Sequence, residues 1–123
     1  MSYKIYLSGP ISNTDDFREN FAAAEWLLTS NFNEIVNPLN VQACESKACE
    51  PKRGHEHSWE CNLKHDILAM LGCDTIFMLP GWERSHGARL ELNVATACGL
   101  SVRFLSGADL RGAKRVMSSG HVG

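Results

Sequence analysis

With 123 residues, 44% of them hydrophobic and 21% charged, the chain has the length and composition of one globular domain and too little length for two. A formal charge of -2 supplies no general field for a nucleic-acid polymer or an anionic membrane, so any phosphate site must be built from local donors. No apolar run approaches a membrane span, and MSYKIYLSGPIS lacks a signal-peptide pattern, which together point to a cytoplasmic protein with no membrane partner.

Lys4 to Leu7 alternate and are β-prone, predicting a first strand that ends at Ser8-Gly9-Pro10. Asn13 or Thr14 can cap a helix starting near Asp15, whose apolar residues Phe17, Phe21, Ala24, Leu27 and Leu28 recur at helical spacing and should face a sheet. Glu34-Ile35-Val36, closed by Asn37-Pro38, reads as a short second strand. From Leu39 to about Glu56 no period is sustained, and Pro51 and Gly54 break any regular element. So long an irregular insert in a small domain is a mark of function. Its cluster of Lys47, Lys52 and Arg53 is either a solvated face or a phosphate contact.

Next, a helix should run from about Ser58, its cap, to Leu71, with Leu63, Ile67, Leu68 and Leu71 on the apolar side. Thr75 to Leu79 is a continuous apolar run between Cys73-Asp74 and Pro80-Gly81, the pattern of a central parallel strand. A helix follows and ends at Gly99, and Ser101 to Leu105 forms a fourth strand. The remainder, from Ser106, reads as a polar tail. Strands separated by helices predict a single α/β domain with a four- or five-stranded parallel sheet flanked by helices in three layers. It is Rossmann-like, of the flavodoxin-like kind, without a GxGxxG dinucleotide fingerprint.

Glu91 is the residue most suggestive of chemistry. It lies one turn inside the helix after the apolar strand, near the carboxyl end of that strand, where open α/β sheets bind ligands. With Leu90, Val94 and Ala97 toward the core, Glu91 and Ala95 occupy an adjacent face, and the carboxylate can point into a crevice. Gly87-Ala88 just upstream lets a ligand approach closely. A carboxylate so placed can attack a sugar carbon; alternatively it is a surface residue pairing with Arg84 or Arg89. Asp66, on the preceding helix, is a general acid if burial raises its pKa, or an ordinary exposed aspartate.

If the first and third strands are neighbours, Tyr6, Ser8, Gly9, Asp74 and Glu91 can converge, although Asp74 also suits a turn or cap. Tyr6 offers a phenol to a carboxylate or sugar, or is core. Ser8, Gly9 and Pro10 form a tight loop whose hydroxyl and N–H groups can hold sugar or phosphate. Ser85 is either an oxyanion contact, with His86, or a helix cap. Trp82 and Trp59 either stack on a base or cover the core.

Five cysteines are present. Cys73 and Cys98 read as small buried hydrophobes. Cys44, Cys49 and Cys61 with His55, His57 and His65 allow a zinc reading, but no CxxC or HxxxH pair appears, and a reduced polar loop is the preferred interpretation.

The strings Tyr6-Leu7-Ser8-Gly9-Pro10, Cys73-Asp74 before an apolar strand, and Gly87-Ala88-Arg89-Leu90-Glu91, with the Asp66 helix between them, resemble the nucleoside 2-deoxyribosyltransferase-like superfamily over residues 3–105. The run Leu79-Pro80-Gly81-Trp82-Glu83-Arg84-Ser85-His86-Gly87-Ala88-Arg89-Leu90-Glu91 is similar to the string of a small branch of domains of unknown function, many of them phage-encoded. The resemblance implies Glu91 as nucleophile at the anomeric carbon of a nucleoside or nucleoside 5′-monophosphate, Asp66 as proton donor to the leaving base and Tyr6 as orienting partner. It implies that Ser8, Gly9 and Ser85 contact sugar or phosphate, and it makes a homodimer or larger oligomer an expectation. No metal or organic cofactor is required for such a displacement. The expected function is therefore an N-glycosidase or deoxyribosyltransferase. The alternatives are a nucleotide-binding module without turnover and an NAD-type glycohydrolase.

Overall fold

The structure is a computed structural model, and it describes residues 3–12, 14–29, 33–40 and 59–119. Four strands, β1 (Lys4–Ser8), β2 (Glu34–Val36), β3 (Thr75–Met78) and β4 (Ser101–Phe104), make one all-parallel sheet in the order β2-β1-β3-β4. Four helices flank it: α1 (Phe17–Leu28), α2 (Trp59–Leu71), α3 (His86–Ala97) and α4 (Gly107–Ser119). This is the doubly wound, flavodoxin-like strand order, in which β1 and β3 straddle the switch point where crossovers leave to opposite sides. Among the described residues, no helix is long and apolar enough to cross a membrane.

The pleat of β1 sorts the chain into two cores. Ile5 and Leu7 point to one face and meet Phe21 and Ala24 of α1 and Leu110 and Ala113 of α4. Tyr6 and Ser8 point to the other face, where α2 and α3 lie, and Tyr6 joins Met70, Ile76, Met78, Ala88 and Ala95 in the second core. Successive side chains of a strand alternate between faces, so one five-residue strand contributes to both layers. At its carboxyl end β1 pairs Ser8 with Met78 of β3. There a Cβ on Gly9 would lie 2.8 Å from the Cβ of Leu79, closer than real atoms approach, so the tight passage of the two chains requires glycine.

Four expectations are corrected. The segment from Ser106 is not a polar tail: α4 packs on α1 and buries Leu110 and Ala113. The Ser106 hydroxyl accepts from the Asp109 N–H at 3.0 Å and so caps the helix. Its apolar stripe is narrow and interleaved with charge, which hides it in the composition. In α2 the buried side chains are Cys61 and Met70, and the expected Ile67 packs against the same core as Met70, while Leu68 and Leu71 are exposed. Cys98 follows α3 and is exposed, whereas Cys73 is buried as expected. The expected Asn13 or Thr14 cap is replaced: α1 starts at Phe17 after Asp16, with no side-chain cap bond, and Asn13 lies outside the described residues. Also outside them lie Ser58, Cys44, Cys49, His55, His57, Lys47, Lys52 and Arg53.

Candidate active site

A pocket of about 440 Å³ opens beyond the carboxyl ends of β1 and β3. Its size falls within the range of small-molecule sites. Three pieces of backbone build most of its walls, and Phe21 and Pro38 add to them. The loop after β1 contributes Gly9, Pro10 and Ile11; α2 contributes Trp59, Asn62, Leu63 and Asp66, which share one face at helical spacing; the turn into α3 contributes Arg84, Ser85, His86 and Gly87. Glu91 and Tyr6 line it from within.

Glu91 is only 6% exposed, which rules out the surface pairing with Arg84 or Arg89. The expected orientation of α3 is likewise corrected. Ala88, Glu91 and Ala95 form its buried face, and Ala97 is exposed. A carboxyl group can occupy the centre of that face because β1 supplies its partners. The Tyr6 hydroxyl donates to Oε2 at 2.9 Å and the Ser8 hydroxyl donates to Oε1 at 2.6 Å. Both contacts are buried and join residues more than eighty positions apart. No buried side-chain polar atom among the described residues is left without a partner.

Burial penalises the charged form of each acid here. It pushes the Glu91 carboxyl up to about 7, opposed by the Ser8 and Tyr6 hydrogen bonds and assisted by the nearby Asp66 charge. Burial also pushes Asp66 up to about 6. Tyr6 is held well above its usual value, first by burial and then by the Glu91 charge, so it remains a donor at any physiological pH. Between about 6 and about 7 the pair of carboxyls therefore holds a single proton, which rests mainly on Glu91, the group of higher pKa, and on Asp66 in the minor form.

The remaining expected residues divide. Ser85 lines the pocket and also caps α3, its hydroxyl accepting from the Ala88 N–H at 3.2 Å. Gly9, Pro10, Gly87 and Ala88 line the pocket. A Cβ on Gly87 would meet nothing within 4 Å, so the fold does not require glycine there and the space left is pocket space. Ser8 turns away from the pocket and onto Glu91. Trp82 is not a lining residue; its indole packs 5.7 Å from the Phe104 ring. Trp59 does line the pocket, its ring stacked on His86 at 5.2 Å between centroids and 20° between planes. Asp74 does not converge with the others. It sits at the opposite end of the sheet, where its carboxylate accepts from the Lys4 N–H at 2.9 Å and from the Thr75 hydroxyl at 2.7 Å.

Sequence reasoning did not single out Asn62 or Leu63 as part of the site. The signal was present in their spacing from Trp59 and Asp66, since one helix face carries all of them. No group of three His, Cys, Asp or Glu that could hold a metal ion gathers among the described residues.

Residues 3–104 match the family described as a domain of unknown function, DUF4406, and the chain belongs to that family. Neither a curated protein nor a solved structure matches it.

Proposed function

We propose that the protein is an N-glycosidase or deoxyribosyltransferase that cleaves the base–sugar bond of a nucleoside or nucleoside 5′-monophosphate, and that the chain is a distant member of the nucleoside 2-deoxyribosyltransferase-like superfamily. The observation that carries this reading is a buried glutamate, held by hydroxyl donors on both oxygens, facing a pocket that also contains a second carboxyl of raised pKa. Glu91 attacks the anomeric carbon with an oxygen lone pair. The carbon–nitrogen bond breaks, its electron pair stays on the base nitrogen, and the proton of Asp66 neutralises the departing base. The product is a glycosyl ester on Glu91, released by water in a hydrolase or by a second base in a transferase. Asp66, now a carboxylate, takes the proton of the incoming water.

The pH window follows from the two carboxyls. The single proton held between about 6 and about 7 rests mainly on Glu91, so the reactive form, with Glu91 ionised and Asp66 protonated, is the minor of the two singly protonated forms. That form is most populated in this window, and is lost below it as both groups protonate and above it as both ionise. Activity should peak between these values. Trp59 offers a flat apolar surface on the pocket wall for the base. The test is incubation with deoxyribonucleosides, their 5′-monophosphates and NAD, with free base followed by chromatography and Glu91→Ala as control. Base release that survives Glu91→Ala removes Glu91 from the role of nucleophile. A ligand that raises the melting temperature without any product assigns the pocket to binding alone.

A further inference from the structure

We propose that Ser8 is a positioning residue for Glu91, anchoring Oε1 on the side away from the pocket so that Oε2, beside Tyr6, is the oxygen presented to the ligand. The inference deepens the glycosidic reading given above, and its chemical consequence rests on that reading. Three observations carry it. The Ser8 hydroxyl is buried at 1% exposure and donates to Oε1 at 2.6 Å, a short contact of the charge-assisted kind. Tyr6, the donor to Oε2, lines the pocket together with Glu91, whereas Ser8 does not. Both donors project from the same face of β1 and are fixed by pairing of Tyr6 with Ile76 and of Ser8 with Met78 in β3. A central strand is the most rigid platform available in this fold, so the plane of the carboxylate is set by backbone that cannot easily shift.

A carboxylate with one hydroxyl on each oxygen is oriented before any ligand arrives, and it is also easier to ionise. Both hydroxyls stabilise the anion and oppose the burial that disfavours it. Among the described residues, the groups that face Glu91 are Tyr6 and Ser8 from β1 and Asp66 from α2. Arg84 and His86 lie on the same pocket wall at the start of α3, and β3 presents Ile76 and Met78 on that side. Among the described residues, removing the Ser8 hydroxyl leaves Tyr6 as the one side-chain donor to Glu91 and moves the shared proton further onto Glu91.

Titration of carboxyl-labelled glutamate by carbon NMR tests this in the full chain without substrate. In Ser8→Ala the Glu91 midpoint should rise by about one to two pH units, the value of one hydrogen bond to a charged group. Ser8→Cys keeps a weak donor and should give a smaller rise; it also carries the test if the alanine variant does not fold. An unmoved midpoint in a folded variant overturns the assignment. In turnover, kcat/KM of Ser8→Ala should fall about 10- to 100-fold near neutrality, with the deficit closing at alkaline pH, where Glu91 is ionised in both proteins. A purely structural role would leave the deficit constant with pH. A raised midpoint in a protein that releases no base keeps the Ser8 role and removes the glycosidic reading. Base release with an unmoved midpoint does the reverse.

Discussion

The two faces of this sheet are built from the same strand by opposite rules. Toward α1 and α4, Ile5 and Leu7 are buried among Phe21, Ala24, Leu110 and Ala113, and charge stays at the rim, where Lys114 bridges Asp16 and Asn20 at 2.8 Å each. Toward α2 and α3, the alternate residues Tyr6 and Ser8 bury hydroxyls and a carboxyl group at the carboxyl end of the strands. The first face gains stability from each methylene it removes from water. The second gives up some of that gain, since an ionised Glu91 is disfavoured by its surroundings and is held there by two hydrogen bonds. One face is packing alone, and the other combines packing with the candidate site.

The sharpest way to break that division is Glu91→Gln. Base release should fall about 10³-fold or more, because the change removes the proposed nucleophile. The same change should stabilise the protein at alkaline pH. The folded-state pKa of Glu91 lies above its ordinary value of 4.5, at about 7, so the folded protein binds more protons than the unfolded chain across that window. The stability contributed by this group is therefore complete below about 4.5 and is lost as pH rises through about 7, a loss on the order of 3 kcal/mol. Thermal melting of wild type and Glu91→Gln at pH values on either side of the window should show the wild type falling more steeply than the variant, which keeps only the loss contributed by Asp66.

Asp66→Asn should lower kcat about 10²- to 10⁴-fold and abolish the alkaline decline of the pH–rate profile, since no acid remains to be ionised; substrates whose base leaves without protonation should be spared. On the opposite face Leu110→Ala should cost about 2–4 kcal/mol in chemical denaturation while leaving kcat of the folded fraction unchanged. The smallest effect belongs to Lys114→Met. It should lower the melting temperature slightly, less so in high salt, with no change in turnover.

Much of this division is legible in the residues themselves. The short runs Lys4 to Leu7 and Thr75 to Leu79, each closed by Gly or Pro, identify the two central strands, and the alternation in β1 already separates Ile5 and Leu7 from Tyr6 and Ser8. The site's position follows from the rule for open α/β sheets once Glu91 is placed after β3. Three things were not legible. α4 buries Leu110 and Ala113 along a stripe interrupted by Arg111, Gly112 and Lys114, so a strongly charged composition conceals a helix whose partner, α1, is remote in the chain. The apolar residues of α2 spread around the helix, so their pattern does not say that Ile67 and Met70 meet the sheet core while Leu68 is left 66% exposed. Of the two tryptophans considered for the pocket, Trp59 lines it and Trp82 does not, a difference that depends on where the left-handed turn at Gly81, with φ 91°, sends the chain.

The pairing of β1 with Glu91 has a temporal consequence as well. Its hydrogen bonds span 85 and 83 residues, among the longest sequence separations the described chain can offer. During synthesis, β1 must wait for β3 and then α3 to emerge before Tyr6 and Ser8 can find their acceptor, and closing so long a loop is slow compared with forming any single helix. The candidate site is thus assembled late, and a nascent chain that has not finished folding does not yet hold the Glu91 carboxyl between its two donors.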